Sequence, residues 1–400
     1  MGSMLGKLIP GPDGPDERSF EVDLVGRRLV FGNGTVGRVG ALAGGLGASH
    51  VLVVADRGVV GAGLLDRALD PLAADGLRAT VFEDVAGEPT WTTARAAGQS
   101  AREACCDAVI GIGGGSAMDV AKAASILATL DESVPAYWAD DQWPRALPKI
   151  LVPTSAGTGS ELSSAAVFTD ADGYKKAMRG LKVGAEVAVV DPLLTLTLPP
   201  TPTADSGMDA LVHAIEGYTS RRGSPFGDIY AERAIELIGL SLVAAHRDGS
   251  DVTARYRMAL ASTMAGVAAQ QSGVGAVHAL TYPLSTTARI SHGLANALLL
   301  PDVVAYNLPA NLPKYREVAR LLGAPVDGLS LEDGAGRCVD LLAELRATLK
   351  MPTRLRDIGV EQAAFAGFVE YAFGHFARNL EANARPLEHA DALAIYEAAW

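Results

Sequence analysis

The chain has 400 residues, 49% of them hydrophobic and 20% charged, and carries a net charge of −12. That length predicts two domains, each with enough apolar residues for its own core. The acidic balance excludes an extended nucleic-acid footprint, no Lys/Arg run marks a membrane surface, and three cysteines give no disulfide framework.

The opening residues Met1 to Lys7 lack the apolar run of a signal peptide. No uncharged apolar stretch reaches the ~18 residues of a membrane span, so a cytoplasmic protein is expected. Short apolar runs at Arg28–Phe31, Val51–Ala55, Ala79–Glu83, Ala108–Ile112, Ile150–Pro153 and Val187–Val190 read as strands. Between them, Thr92–Cys105 and Ala117–Thr129 read as helices. Cys105 and Cys106 are expected as small buried hydrophobes. Buried strands alternating with helices predict an α/β half with a mostly parallel sheet.

After Leu198-Pro199-Pro200-Thr-Pro202 the texture changes. Helical periodicity predicts helices over Gly207–Thr219, Phe226–Ala245, Val252–Gln271, Ala295–Asn307, Lys314–Leu322 and Leu331–Leu349. The expected division is therefore an α/β domain over residues 1–200 and an all-helical domain over residues 201–400.

Within the first half, Asp107–Ile112 runs into Gly113-Gly114-Gly115-Ser116-Ala-Met-Asp119. A strand, a glycine turn and a helix start let the backbone approach a phosphate, which the free N–H groups attract. Ser116 and Asp119 also have capping-box spacing, which needs no ligand. The pattern is not the G-x-G-x-x-G fingerprint. Asp56, at the end of Val51–Ala55, can bind a ribose diol and disfavour a 2′-phosphate, or can serve only as a turn residue. Thr154, Ser155 and Thr158 lie in a second small-residue loop, which either lines a nucleotide cleft or shapes a turn.

Chemistry concentrates in the second half. Asp209 and His213, four residues apart, share a helix face and can grip one ion. His278 and His292 follow, and Pro283 with the Ser/Thr run after it is expected to break the helix between them. One carboxylate with three imidazoles suits Fe(II) or Zn(II).

Together these stretches resemble the iron-containing (group III) alcohol dehydrogenase family, from Phe31-Gly-Asn-Gly34 to the chain end. The resemblance rests on Gly113–Asp119, Thr154–Glu161, Asp191–Pro200, Gly207–Ser220, Ala276-Val-His278, His292–Ala297 and Arg385-Pro-Leu. It implies a Rossmann-like parallel-sheet domain followed by a helical domain, as in dehydroquinate synthase. It further implies NAD, with Gly113 to Ser116 at the pyrophosphate, Asp119 nearby, and Thr154, Ser155 and Thr158 at the nucleotide. Lys175 or Lys176 stands where the family has a lysine near the cofactor. Asp209, His213, His278 and His292 would hold the metal, Fe(II) in preference to Zn(II).

Three positions depart from the family pattern. Tyr282 stands where several members have a histidine, Ser291 where a proline is usual, and Glu88 where an asparagine is common. The expected reaction is hydride transfer between NAD(H) and a small primary alcohol or aldehyde, in a homo-oligomer such as a dimer. Tyr282 is the candidate proton relay, on the reasoning that a cation lowers a phenol pKa; its other reading is packing beside the metal. If Arg289 or Arg179 faces the cleft, an anionic aldehyde becomes plausible. A sugar-phosphate cyclase of the dehydroquinate synthase type is the alternative enzyme class, expected to show more basic residues and a glutamate as first ligand. A nucleotide-binding protein without activity is the third reading.

Overall fold

A computed structural model describes residues 20–24, 27–85, 87–130, 143–169 and 175–400; the signal-peptide reading of residues 1–7 lies outside them. The strands are β1 (Phe20–Leu24), β2 (Arg27–Phe31), β3 (His50–Asp56), β4 (Arg78–Val85), β5 (Ala108–Gly113), β6 (Lys149–Pro153), β7 (Ala165–Thr169), β8 (Lys175–Arg179) and β9 (Val187–Val190). Seven form one sheet in the order β1-β2-β9-β6-β5-β3-β4, parallel except for β1. β5, β6 and β9 are buried along their whole length because helices cover both faces of the sheet. Helices Val39–Gly45 and Asp66–Ala74 pack on one face, Trp91–Glu103 and Gly115–Leu127 on the other.

Strand order places the ligand crevice. From β3 the chain moves outward to β4, whereas from β5 it moves the other way to β6. The carboxyl ends of β3 and β5 therefore flank the switch point, where α/β sheets leave a gap between loops that diverge to opposite faces. Asp56 ends β3 and Gly113 ends β5.

From Pro200 onward the described residues form helices and connecting turns. The proline-rich stretch marks the start of the Pro200–Thr219 helix, with prolines in its first turn, where a missing N–H is no loss. Leu29, Phe31, Ala188 and Val190 share a core with this half, so it abuts the β2–β9 end of the sheet.

Several expectations change. β1 and the antiparallel β7–β8 hairpin had no sequence assignment, and Arg179 ends β8. The Ala276–Ala288 helix runs through Pro283; the break before His292 falls at Arg289–Ser291. Pro283 sits two turns into its helix, and neighbours that bury it hold the chain helical despite the lost N–H bond. Cys106 is buried, but Cys105 is exposed with φ 54 in the turn after its helix.

Candidate active site

Asp209, His213 and Glu216 form one stripe of the Pro200–Thr219 helix, being spaced by four and three residues. His278 lies in the first turn of Ala276–Ala288, and His292 opens His292–Asn307. The close approach of that last helix needs Gly293, whose Cβ would stand 2.1 Å from the Asp205 carbonyl oxygen. Ser291 caps the helix, accepting from Leu294 N at 3.1 Å and donating to Asp205 at 2.5 Å.

Asp209, His278 and His292 each present a donor atom, and these lie within 4.8 Å of one another. Asp209 Oδ1 is 3.9 Å from His278 Nε2 and 3.8 Å from His292 Nε2. His213 stands beside this trio, its Nδ1 3.8 Å from Asp209 Oδ2 and its ring 4.5 Å from that of His278. The site is dry. Burial holds the His292 imidazole well below its usual pKa and lowers that of His213. Burial would raise the Asp209 carboxyl, but the three imidazoles and the Asn296 amide outweigh it and hold it below the carboxylate range. Burial works against a proton on His278, but Glu216 and Asp209 outweigh it and raise its pKa, so a bound cation would take the place of that proton. His213 Nδ1, 3.8 Å from Asp209 Oδ2, is buried without a hydrogen-bond partner, a loss that a bound ion would relieve. The donor set therefore fits a divalent metal.

Two supporting residues escaped the sequence reading. Glu216 accepts from Val277 N at 2.6 Å and pairs with His278 Nδ1 at 2.6 Å. Held this way, His278 carries its proton on Nδ1 and turns its Nε2 lone pair toward Asp209. Asn296 donates to Asp209 Oδ1 at 2.7 Å and accepts from Thr281 at 2.6 Å. The signal for Glu216 was a carboxylate on an otherwise apolar stripe, three residues beyond His213.

One cavity of about 920 Å³ joins this cluster to the glycine loop, lined at one end by Gly115, Ser116 and Thr158 and at the other by Asp209, His213, His278, Tyr282 and His292. Gly114 occupies the cap position of the Gly115–Leu127 helix with no side-chain cap. The capping-box reading of Ser116 and Asp119 thus fails, because both already lie inside the helix and its first N–H groups stay open toward the cleft. Asp119 instead accepts from Ser160 Oγ at 2.7 Å, Val167 N at 2.8 Å and Lys122 Nζ at 3.1 Å.

Asp56 caps the next helix through Val59 N at 2.9 Å and accepts from Gly114 N at 3.3 Å. It therefore serves as a turn residue and braces the glycine loop. Thr154 N bonds to Gly113 O at 3.0 Å, which ties the second small-residue loop to the glycine turn. Of the two lysines, Lys175 lines the cleft and reaches Glu88 at 2.6 Å; Lys176 does not line it. Tyr282 is sandwiched, its ring 5.3 Å from His292 and 4.2 Å from Phe376. Burial raises the pKa of its hydroxyl.

Residues 26–192 match the family profile described as iron-containing alcohol dehydrogenase, and residues 203–400 match its C-terminal profile. A long-chain-alcohol dehydrogenase of Geobacillus thermodenitrificans is 40% identical over 359 residues, covering 89% of this chain and 90% of that protein. The crystal structure of a 1,3-propanediol oxidoreductase superposes with a TM-score of 0.91 at 32% identity, covering 96% of this chain and 100% of that one. A sulfoacetaldehyde reductase from Bifidobacterium kashiwanohense, in complex with NAD+, gives 0.83 at 31% identity and covers 92% and 96%.

Proposed function

The chain belongs to the iron-containing alcohol dehydrogenase family, and from that premise we propose that Asp209, His213, His278 and His292 together hold one divalent ion beside bound NAD. The protein is an NAD-dependent alcohol dehydrogenase, exchanging a hydride between NAD(H) and a small alcohol or aldehyde. The observation that carries the site assignment is the meeting of Asp209, His278 and His292 within 4.8 Å, in the cleft that the glycine-loop helix opens into.

We assign the dinucleotide to residues 1–200 and catalysis to residues 201–400. Gly113 to Ser116 receive the pyrophosphate, Thr154, Ser155 and Thr158 contact the nucleotide, and Asp119 stands nearby, bonded to Ser160 of that second loop. Asp56 stands at the ribose side, and Lys175, oriented by Glu88, faces the cofactor. When bound, the ion supplies a Lewis acid that polarises the substrate oxygen. We assign Fe(II) in preference to Zn(II) on the family's character, since this donor set accepts either. Among the described residues no helix is long and apolar enough to cross a membrane. A cytoplasmic homodimer is our working assembly.

The test is NADH oxidation with a panel of aldehydes, on protein stripped of metal and reloaded anaerobically with Fe(II) or Zn(II). Turnover is expected only after reloading, and faster with Fe(II). Equal rates without metal would remove the four-ligand assignment. Net NADH consumption separates this reading from a cyclase, which returns its cofactor unchanged.

Tyr282 acts as a wall of the metal end. Its stack between His292 and Phe376 favours this role over a relay. Tyr282→Phe keeps the stack and is expected to hold kcat within about twofold across the pH profile, whereas Tyr282→Ala opens the wall and lowers kcat/KM about tenfold. A flattened pH profile in Tyr282→Phe would restore the relay.

A further inference from the structure

His278 and His292 are held in different ways. Glu216 fixes the His278 ring through Nδ1 at 2.6 Å. His292 Nδ1 is buried and has no hydrogen-bond partner among the described residues. The placement of His292 Nε2, 3.8 Å from Asp209 Oδ1, therefore falls to the Tyr282 stack and to the backbone that begins its helix. That backbone enters through a short connector: one helix ends at Ala288, Arg289 to Ser291 cross over, and His292 follows. Ser291 holds φ −61, within the range that a proline ring fixes covalently, at the position where the family usually carries proline. Serine has no such lock.

Asp205 supplies a substitute. It lies one turn before Asp209 on the Pro200–Thr219 helix. Its Oδ2 accepts from Ser291 Oγ at 2.5 Å, while Ser291 Oγ accepts from Leu294 N at 3.1 Å. A hydroxyl can accept and donate at once, so the cap bond leaves its hydrogen free for Asp205. One oxygen thus joins the helix of Asp209 and His213 to the first turn of the helix of His292. The two backbones meet at the same level, where Gly293 leaves no room for a Cβ against the Asp205 carbonyl. Ser291 is exposed and Asp205 partly buried, and a carboxylate acceptor makes the bond shorter and stronger than one between neutral groups.

We propose that the Asp205–Ser291 hydrogen bond is a clamp that positions His292 for the metal, doing through a side chain what a proline ring does through the backbone. The inference rests on the ligand assignment above and adds Asp205 and Ser291 as positioning residues; neither is a ligand. Without the clamp the Ser291 backbone turns more freely, the start of the helix shifts, and Nε2 spends less time facing Asp209 and His278.

The test is Zn(II) affinity, read by chelator competition on the whole protein. Asp205→Ala should bind Zn(II) about tenfold more weakly than wild type, although the Ser291 cap on Leu294 survives in it. Asp205→Asn removes the same charge but keeps an oxygen for the Ser291 hydroxyl, and should stay within about threefold of wild type. Ser291→Pro restores the backbone lock, so adding Asp205→Ala to it should cost less than about twofold. The visible bands of the Co(II)-loaded protein report donor geometry; they should shift in Asp205→Ala and not in Asp205→Asn. Equal losses in Asp205→Ala and Asp205→Asn would reveal a charge effect and overturn the clamp, as would wild-type affinity in Asp205→Ala. Hydrogen–deuterium exchange over residues 289–298 of the metal-free protein should be about tenfold faster in Asp205→Ala than in Asp205→Asn, and equal rates would overturn the clamp. If wild type takes up no Zn(II), the ligand assignment fails, while the exchange comparison still decides whether Asp205 holds the start of the helix.

Discussion

Asp209→Asn is expected to lose its bound metal and about a thousandfold in kcat/KM, the equivalent of roughly 4 kcal/mol, while keeping its fold. Asp209 is the single anionic donor of the cluster. Its Oδ1 lies 3.8 Å and 3.9 Å from two imidazole nitrogens and receives the Asn296 amide at 2.7 Å. Asparagine fills the same volume, so circular dichroism should be unchanged. It brings no charge, however, and three neutral imidazoles alone bind a hard divalent ion more weakly. Glu216→Gln should give a graded loss. Both Glu216 oxygens are engaged, one by Val277 N and the other by His278 Nδ1. Glutamine has one oxygen and one NH2, so either an N–H faces an N–H, or His278 changes tautomer and moves its lone pair off Nε2. Metal affinity, read by chelator competition, should fall about 10–100-fold. Stoichiometric metal in Asp209→Asn would defeat the ligand assignment, and wild-type affinity in Glu216→Gln would defeat the positioning role.

The second large effect concerns Lys122, which is fully buried in the Gly115–Leu127 helix. Burial lowers its pKa, and Asp119 opposes that shift. Its Nζ donates to Asp119 at 3.1 Å, Ser160 at 2.5 Å, Ser163 at 3.0 Å and the Ala165 carbonyl at 2.7 Å. One ammonium thereby ties the glycine-loop helix to the Thr154–Glu161 loop and the first strand of the hairpin. Lys122→Met removes the cation that Asp119 pairs with, which should cost about 3 kcal/mol, toward the low end for a broken buried pair because Asp119 is partly exposed and keeps its bonds from Ser160 and Val167. For an α/β half of this size the melting temperature should drop by about 6–12 °C. KM for NADH should rise about tenfold as the two loops lose alignment. Asp119→Asn combined with Lys122→Met should recover much of the stability, because the uncompensated carboxylate disappears with the cation. Additive losses in that double variant would mean that the pair carries no coupling.

Legibility in the sequence followed locality. Asp209 and His213 could be paired from spacing because a helix puts positions four apart on one face. The Gly113–Ser116 turn could be read because it directly follows an apolar strand. Glu216 was missed although its signal was local, since a carboxylate on a buried stripe resembles any helix residue until its partner is known. Lys122 was missed because its acceptors lie as far along the chain as Ala165. The β7–β8 hairpin was missed because its residues alternate between buried and partly exposed, without the continuous apolar run that marked the sheet strands.

By itself the sequence determined the parallel strands β2, β3, β4, β5, β6 and β9, the glycine turn and the donor types, because each depends on neighbours within a few residues. Tertiary structure alone decided that His278 and His292 reach Asp209, that Pro283 stays helical, that Lys175 and not Lys176 lines the cleft, and that Tyr282 stacks between His292 and Phe376. Those outcomes depend on which helices pack together and how the hairpin folds over the cleft, and long-range packing of that kind leaves no periodicity to read.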